Sequence, residues 1–253
     1  MSAPDPAPAQ EVEVVAASAD RATVRCGSTF VKIDSDRARA EAEVAAMRLA
    51  PVPTPQVLWH EPPVLALAAV RGTPLGRVGH PSTASARAWT AAGAAVRRLH
   101  DAPLPPRTGP SAEDLARRLA AECDWLRAEA ALPYDLLARR RRQAESVLRP
   151  WEPVFVHGDL HVSHVFVDGD EVTGILDWSE AGQGDALQDI ATLTLSQEQH
   201  LDDLLSGYGR DVDLDVVRGW WAYRCLTAIR WLSENGYGDP ASLPEAELLR
   251  RMD

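Results

Sequence analysis

The sequence predicts an α+β chain in two lobes: a small β-rich N-terminal lobe with one helix over residues 11–70, and a larger, mostly helical C-terminal lobe over residues 71–253. Three observations predict it. Residues 11–70 carry short β-branched segments separated by turn residues, with one Ala/Arg/Glu-rich stretch among them. Residues 85–234 are dominated by segments whose apolar residues recur at helical spacing. A short apolar run and a hairpin pattern interrupt those helices near the middle of the chain, and polar residues cluster on them.

Residues 1–10, with neither a basic start nor an apolar stretch, read as a flexible tail rather than a secretory signal. Glu11 to Ala16 alternates and is β-branched, so it suits a strand; Ser18 to Arg21 suits a turn. Ala22 to Cys26 and Thr29 to Ile33 read as two further strands joined at Gly27-Ser28. Asp36 to Leu49 places Ala40, Val44 and Met47 on one face of a helix that ends at Pro51. Val57 to Trp59 and Val64 to Val70 are strands around Glu61-Pro-Pro63, and Arg71 to Gly76 is a Gly/Pro linker. Helices are expected over residues 85–101, 112–131 and 133–148, the last with a basic run, Arg139 to Arg142, that reads as a solvated face. Val154 to Val156 is a short buried strand, and residues 164–176 a hairpin around Gly169-Asp170. Residues 185–195, 198–208 and 215–234 read as helices.

Composition narrows the function. A length of 253 residues allows one large domain or two lobes around a cleft. The net charge of −11 argues against a nucleic-acid partner held through phosphates. No apolar run approaches the roughly 18–20 residues that cross a bilayer, so no membrane span is expected. Cys26, Cys123 and Cys225 are far apart and lack metal spacing, which fits buried thiols in a reducing cytoplasm. From Trp178 onward the chain has 14 acidic and 6 Arg side chains, which suits either a cationic ligand or a solvated, solubilising surface. Of 26 basic residues, 25 are Arg and one is Lys32. A lysine that survives such a bias sits by chance or where a compact ammonium is needed and a guanidinium does not fit.

His157, His161 and His164 flank Asp159 within eight residues, but spacings of four and three, without nearby Cys or an H-E-x-x-H pattern, speak against a dedicated zinc site. The carboxylates carry more. Asp159 follows a buried strand and Asp177 ends the far strand of the hairpin, so both are expected at one sheet edge. Two carboxylates there suit Mg²⁺, a hard cation that usually holds phosphates as well.

His157-Gly-Asp159-Leu-His161, then Ile175-Leu-Asp177-Trp178, then Gly184-Asp185 and Asp189, resembles the aminoglycoside phosphotransferase family. Its signature is H-G-D-x-H-x-x-N, I-D-W and G-D-P-x-x-D. The order and spacing match here, and the lobe pattern extends the resemblance more weakly over residues 11–250. It implies the protein-kinase-like fold and a set of roles. Asp159 would accept or orient the acceptor hydroxyl proton, and Asp177 would ligate Mg²⁺ bridging the phosphates of ATP or GTP. Lys32 would meet the α- and β-phosphates, with Glu43 as its helix partner and Glu41 the alternative. His157 and His161 would shape the loop, while Asp185 and Asp189 would anchor it and cap the next helix.

Two departures stand out. The family's metal-binding Asn is His164 here, a softer ligand and poorer for Mg²⁺. The segment Ala17-Ser-Ala-Asp-Arg-Ala22, where a Gly-rich phosphate-covering loop is expected, has no glycine. On the acceptor side Glu180 and Glu234 are the candidates, with Trp220, Trp221, Tyr223 and Trp231 on the same late helix as Glu234. The resemblance implies a phosphotransferase for a small-molecule hydroxyl, with an aminoglycoside or other cationic antibiotic as the expected acceptor. A kinase for choline, homoserine or a sugar, and a non-catalytic kinase-like binding module, are the alternatives. No A-P-E pattern follows Asp177, against a protein kinase.

Overall fold

The structure, a computed structural model, describes residues 11–18, 20–129 and 131–252; the expected N-terminal tail lies outside the described residues. The alternating segments of the first part form strands β1 (Val12–Ala17), β2 (Arg21–Cys26) and β3 (Thr29–Asp34). Asp36 then caps helix α1 (Arg37–Leu49), its carboxylate accepting the amides of Ala38 and Arg39. β4 (Val57–Glu61) and β5 (Val64–Ala68) follow, and the strands make one antiparallel sheet in the order β1-β2-β3-β5-β4. β3 is therefore central, with Lys32 opposite Thr23 on one side and Leu65 on the other. α1 buries Ala40, Glu43, Val44 and Met47, a stripe at three- and four-residue spacing. Glu43 is thus a carboxylate on the apolar face of the helix.

The expected linker contains a short strand, β6 (Thr73–Pro74), which pairs with the later hairpin and ties the crossing segment down. Helices α2 (Ala86–His100), α3 (Ala112–Ala128) and α4 (Tyr134–Glu145) come next. The last two stop about three residues short of the expected ends. Strand β7 (Val154–Val156) is followed by the hairpin β8 (Val165–Asp168) and β9 (Glu171–Ile175), then a 3₁₀ turn at Trp178–Glu180 and strand β10 (Gly182–Gly184). β10 pairs with β7, and β6, β8 and β9 form a small sheet. α5 (Ala186–Thr194) leads to the region expected as one helix at 198–208, which instead divides into a 3₁₀ turn and α6 (Leu201–Tyr208). α7 (Leu214–Glu234) runs through the core, and α8 (Pro244–Arg251), which the periodicity reading leaves out, closes the chain.

Trp89, Phe155, Trp178, Trp220 and Ile190 are fully or almost fully buried and mark the core of the helical part. The α+β class, with a sheet followed by a mostly helical part, is as the sequence predicts. Cys123 and Cys225 are buried, whereas Cys26 is only half-buried. Among the described residues, no helix is long and apolar enough to cross a membrane.

Candidate active site

β3 holds Lys32 toward α1 and toward the turn after β9. Its Nζ lies 2.6 Å from Glu43 Oε1 and 2.8 Å from Oε2, and 2.9 Å from Asp177 Oδ1. Glu43, not Glu41, is thus the helix residue that meets Lys32. One ammonium ties the sheet, α1 and the segment after β9 together. Burial alone would push the Lys32 ammonium to lose its proton; the two facing carboxylates reverse that and raise its pKa. The same ammonium, with His164, overcomes burial at Asp177 and holds its carboxyl far below the usual range. Asp177 is left-handed, at φ 61°, an unusual conformation for a residue with a Cβ and one that turns its carboxylate out of the β9 direction.

Asp159 sits in the loop after β7. Gly158, at φ +83°, makes the turn, and a Cβ there would lie 2.4 Å from the Glu180 carbonyl oxygen, so only glycine fits. The fully buried Asp189 of α5 fixes this loop: its Oδ2 accepts the His157 amide at 2.7 Å and its Oδ1 accepts the Gly158 amide at 2.9 Å. His100 of α2 reaches Asp189 Oδ2 from behind at 3.3 Å. Asp185 does something else. It caps α5 by accepting the Leu187 amide and accepts the Trp220 indole N–H at 3.0 Å.

The histidines differ. His157 is buried, its Nε2 donating to the Leu176 carbonyl at 2.8 Å while its Nδ1 faces the Asp159 amide at 3.3 Å. His164 Nδ1 donates to the Asp159 carbonyl at 2.9 Å, and its Nε2 lies 3.8 Å from Asp177 Oδ2. His161 packs its ring 3.5 Å from that of His164 and places Nε2 3.9 Å from Asp159 Oδ2.

Burial pushes the His157 pKa down, and burial with the neighbouring His164 pushes that of His161 down to about 3. The consequence for stability has a definite sign. Below about pH 6.5 these histidines take up protons in the unfolded chain but not in the folded one, so stability falls with pH there. Each contributes a slope of up to about 1.4 kcal/mol per pH unit. Denaturant midpoints measured from about pH 7 to about pH 5 should fall steadily; a flat profile would contradict neutral burial of both rings.

Asp159 carries a partner that local spacing does not reveal. Arg224 of α7 donates from Nη2 to Asp159 Oδ1 at 2.5 Å. Burial would raise the Asp159 carboxyl; Arg224, His161 and His164 outweigh it and hold the carboxyl below its ordinary range.

Two cavities meet at this pair of aspartates. One, of about 340 Å³, runs between the sheet and the loop after β7 and is lined by Lys32, Glu43, Thr23, Leu65 and His164. The other, of about 410 Å³, opens on the helical side past Glu180, Arg118, Arg224, Trp220 and Tyr223. Asp159, Asp177, Arg21 and Trp231 line both. Arg21 closes the glycine-free β1–β2 connection, a tight turn in which the Ser18 amide donates to the Arg21 carbonyl at 2.8 Å. A cation therefore stands where backbone amides were expected. Glu180 lies 3.9 Å from Arg107, while Glu234 stays on the exposed side of α7, bonded to Arg230 at 2.8 Å. Trp220, Trp221 and Tyr223 are buried; Trp231 is half-exposed over the junction of the cavities.

Comparison with known proteins places these features in context. A family model described as the phosphotransferase enzyme family matches residues 11–224. Streptomycin 3''-kinase of Streptomyces griseus is 34% identical over 184 residues, which cover 63% of this chain and 65% of that protein. The match thus spans less than two-thirds of the length of this curated relative. Among solved structures, the GDP and kanamycin complex of APH(2")-IIia superposes with a TM-score of 0.73 at 18% identity, covering 98% of this chain and 94% of the other. A macrolide 2'-phosphotransferase type I gives 0.69 at 21% identity, covering 94% and 90%. These structural likenesses concern the fold, which is the kinase-like one.

Proposed function

The chain belongs to the phosphotransferase enzyme family, and from that premise we propose that it transfers the γ-phosphate of ATP or GTP to a hydroxyl of a small molecule, an aminoglycoside or other cationic antibiotic. The observation that carries this reading is the meeting of two cavities at Asp159 and Asp177, with Lys32 at the sheet side of the junction. The smaller cavity takes the nucleotide and the larger takes the acceptor.

Phosphoryl transfer needs in-line placement and neutralised charge rather than covalent help. Lys32, preset by Glu43, meets the α- and β-phosphates. Arg21 adds a guanidinium from the covering turn. Asp159 receives the proton of the acceptor hydroxyl at Oδ2, the oxygen Arg224 leaves open. The Asp177 carboxylate, aimed between the cavities, fits a hard divalent cation, and His164 Nε2 stands beside it as a softer second donor. Mg²⁺ held there would neutralise phosphate charge.

A second reading has its own support. Besides Asp159 and Asp177, Glu180 is the one carboxylate among the described residues lining the larger cavity, whereas Arg21, Arg118 and Arg224 are cations on its wall. That balance favours a metabolite acceptor with a neutral or carboxylate-bearing body, such as a sugar or homoserine.

One assay addresses both readings. The protein is incubated with Mg²⁺, ATP or GTP, and a panel of hydroxylated amines, sugars and hydroxy acids, and nucleoside diphosphate release is followed. Acceptor-dependent release is expected. No turnover on any acceptor, together with no nucleotide-dependent rise in melting temperature, would replace the enzyme by a non-catalytic module.

A further inference from the structure

The loop after β7 gathers three donors that the sequence spacing argues against as a set. Backbone turns bring them to one side: the His161 amide donates to the Asp159 carbonyl and the His164 amide to the His161 carbonyl. One donor atom from each of Asp159, His161 and His164 then lies within 4.8 Å of the other two.

The hydrogen bonds around the set decide which atoms are free. The Asp159 carbonyl only accepts, so His164 Nδ1 carries the hydrogen and Nε2 keeps a lone pair. That lone pair faces Asp177 Oδ2 across 3.8 Å. The gap is too long for a hydrogen bond, and a single ion with ligand distances of about 2.0–2.2 Å spans it. His161 Nδ1 is held by the Ser163 hydroxyl at 2.8 Å, which leaves Nε2 turned to Asp159 Oδ2. Arg224 occupies the other Asp159 oxygen. Metal-binding imidazoles are held this way, with the far ring nitrogen tied to a carbonyl or hydroxyl that fixes ring and tautomer. The side chains are partly exposed, at 26% for Asp159, 24% for His161 and 14% for His164, so the set is open to solvent.

We propose that Asp159, His161 and His164 form a binding site for a borderline divalent cation, Zn²⁺ above all, formed without nucleotide, and that the ion blocks phosphoryl transfer by taking the Asp159 oxygen meant for the acceptor proton. Two imidazole nitrogens and a carboxylate select Zn²⁺ over Mg²⁺, which prefers all-oxygen ligands. Zinc ligands stand about 2.0–2.2 Å from the ion, so the three donors, within 4.8 Å of one another, draw together around it by side-chain rotation. Asp177 Oδ2 is positioned as a fourth ligand. The binding half of the proposal stands by itself; the blocking half rests on the proposed phosphotransferase reading.

The test is titration calorimetry of the full chain with ZnCl₂ and with MgCl₂, no nucleotide present, on wild type, His161→Ala and His164→Asn. Saturable zinc binding at one ion per chain is expected in wild type, with no magnesium heat. Each variant should bind zinc at least about tenfold more weakly, with its fold checked by melting temperature. Wild-type zinc affinity in both variants, or no saturable binding in wild type, overturns the site. Transfer activity is then followed with and without zinc. Inhibition that a chelator reverses, and that weakens in His161→Ala relative to its own zinc-free rate, supports the block. Zinc binding in a protein that transfers phosphate to no acceptor keeps the site and removes the catalytic reading. Active protein with equal zinc inhibition in all three forms removes the site and keeps the catalysis.

Discussion

Asp159→Ala lowers acceptor-dependent phosphoryl transfer by about 10²–10⁴-fold, the usual worth of a positioned general base. Nucleotide affinity stays near wild type, because Lys32 and Asp177 are untouched. The cost to folding is small. Arg224 loses its partner, but its side chain is 37% exposed and can turn to water. Asp159→Asn sharpens the result: it keeps the shape and a hydrogen-bond acceptor for Arg224 but cannot take a proton, so its rate should fall nearly as far as that of alanine. The check is steady-state kinetics beside nucleotide-dependent melting shifts. Equal rates in wild type and Asp159→Ala would remove the assigned role.

Lys32→Met is the second large effect, and it acts on rate and stability together. Loss of one preorganised cation at the phosphates costs about 10²–10³-fold in turnover. The stability effect comes from what is left behind. The Glu43 side chain is 5% exposed and would face Asp177 with no cation between them. Breaking a buried ion pair by removing one partner costs about 3–5 kcal/mol in full burial; here Lys32 and Asp177 are partly exposed, at 21% and 37%, so a loss near or below about 3 kcal/mol is expected. The double variant Lys32→Met with Glu43→Gln removes the stranded charge. It should recover part of the lost stability in chemical denaturation and none of the lost activity. A double variant no more stable than the single one would mean that Glu43 is not strained by losing its partner.

What the sequence reveals, and what it hides, divides by how far apart the partners lie. Lys32, Asp159 and Asp177 were legible because each sits in a short motif, and Glu43 because helical periodicity turns it to the face of Met47. The sheet followed by helices was legible for the same reason: both periods are local. Arg224 was not. It meets Asp159 across 65 residues, from a helix whose sequence is crowded with aromatic residues and gives no sign of which face looks into the cleft. Arg21 hid beside a turn whose one sequence signal is its missing glycine. Strand β6 hid because Pro74 and its neighbouring glycines read as linker, although proline is tolerated at a sheet edge. Helix α8 did leave signs: Pro244 at its first position, Glu245 and Glu247 in its first turn, Arg250 and Arg251 in its last. Glu234 shows how a local partner also escapes such a reading. Its acidity suggested a ligand contact, and the neighbouring turn of its own helix takes it instead.

Lys32 has one more consequence. It is the only lysine in 253 residues, and it lies in the middle strand of the five-stranded sheet. A lysine-specific endoprotease therefore has a single place to cut, after residue 32, and only where β3 has come free of β2 and β5. The appearance of two fragments is a clock for the detachment of that one strand, with no other cleavage to blur it. Nucleotide, zinc or acceptor each slows the clock only in so far as it holds that strand in place.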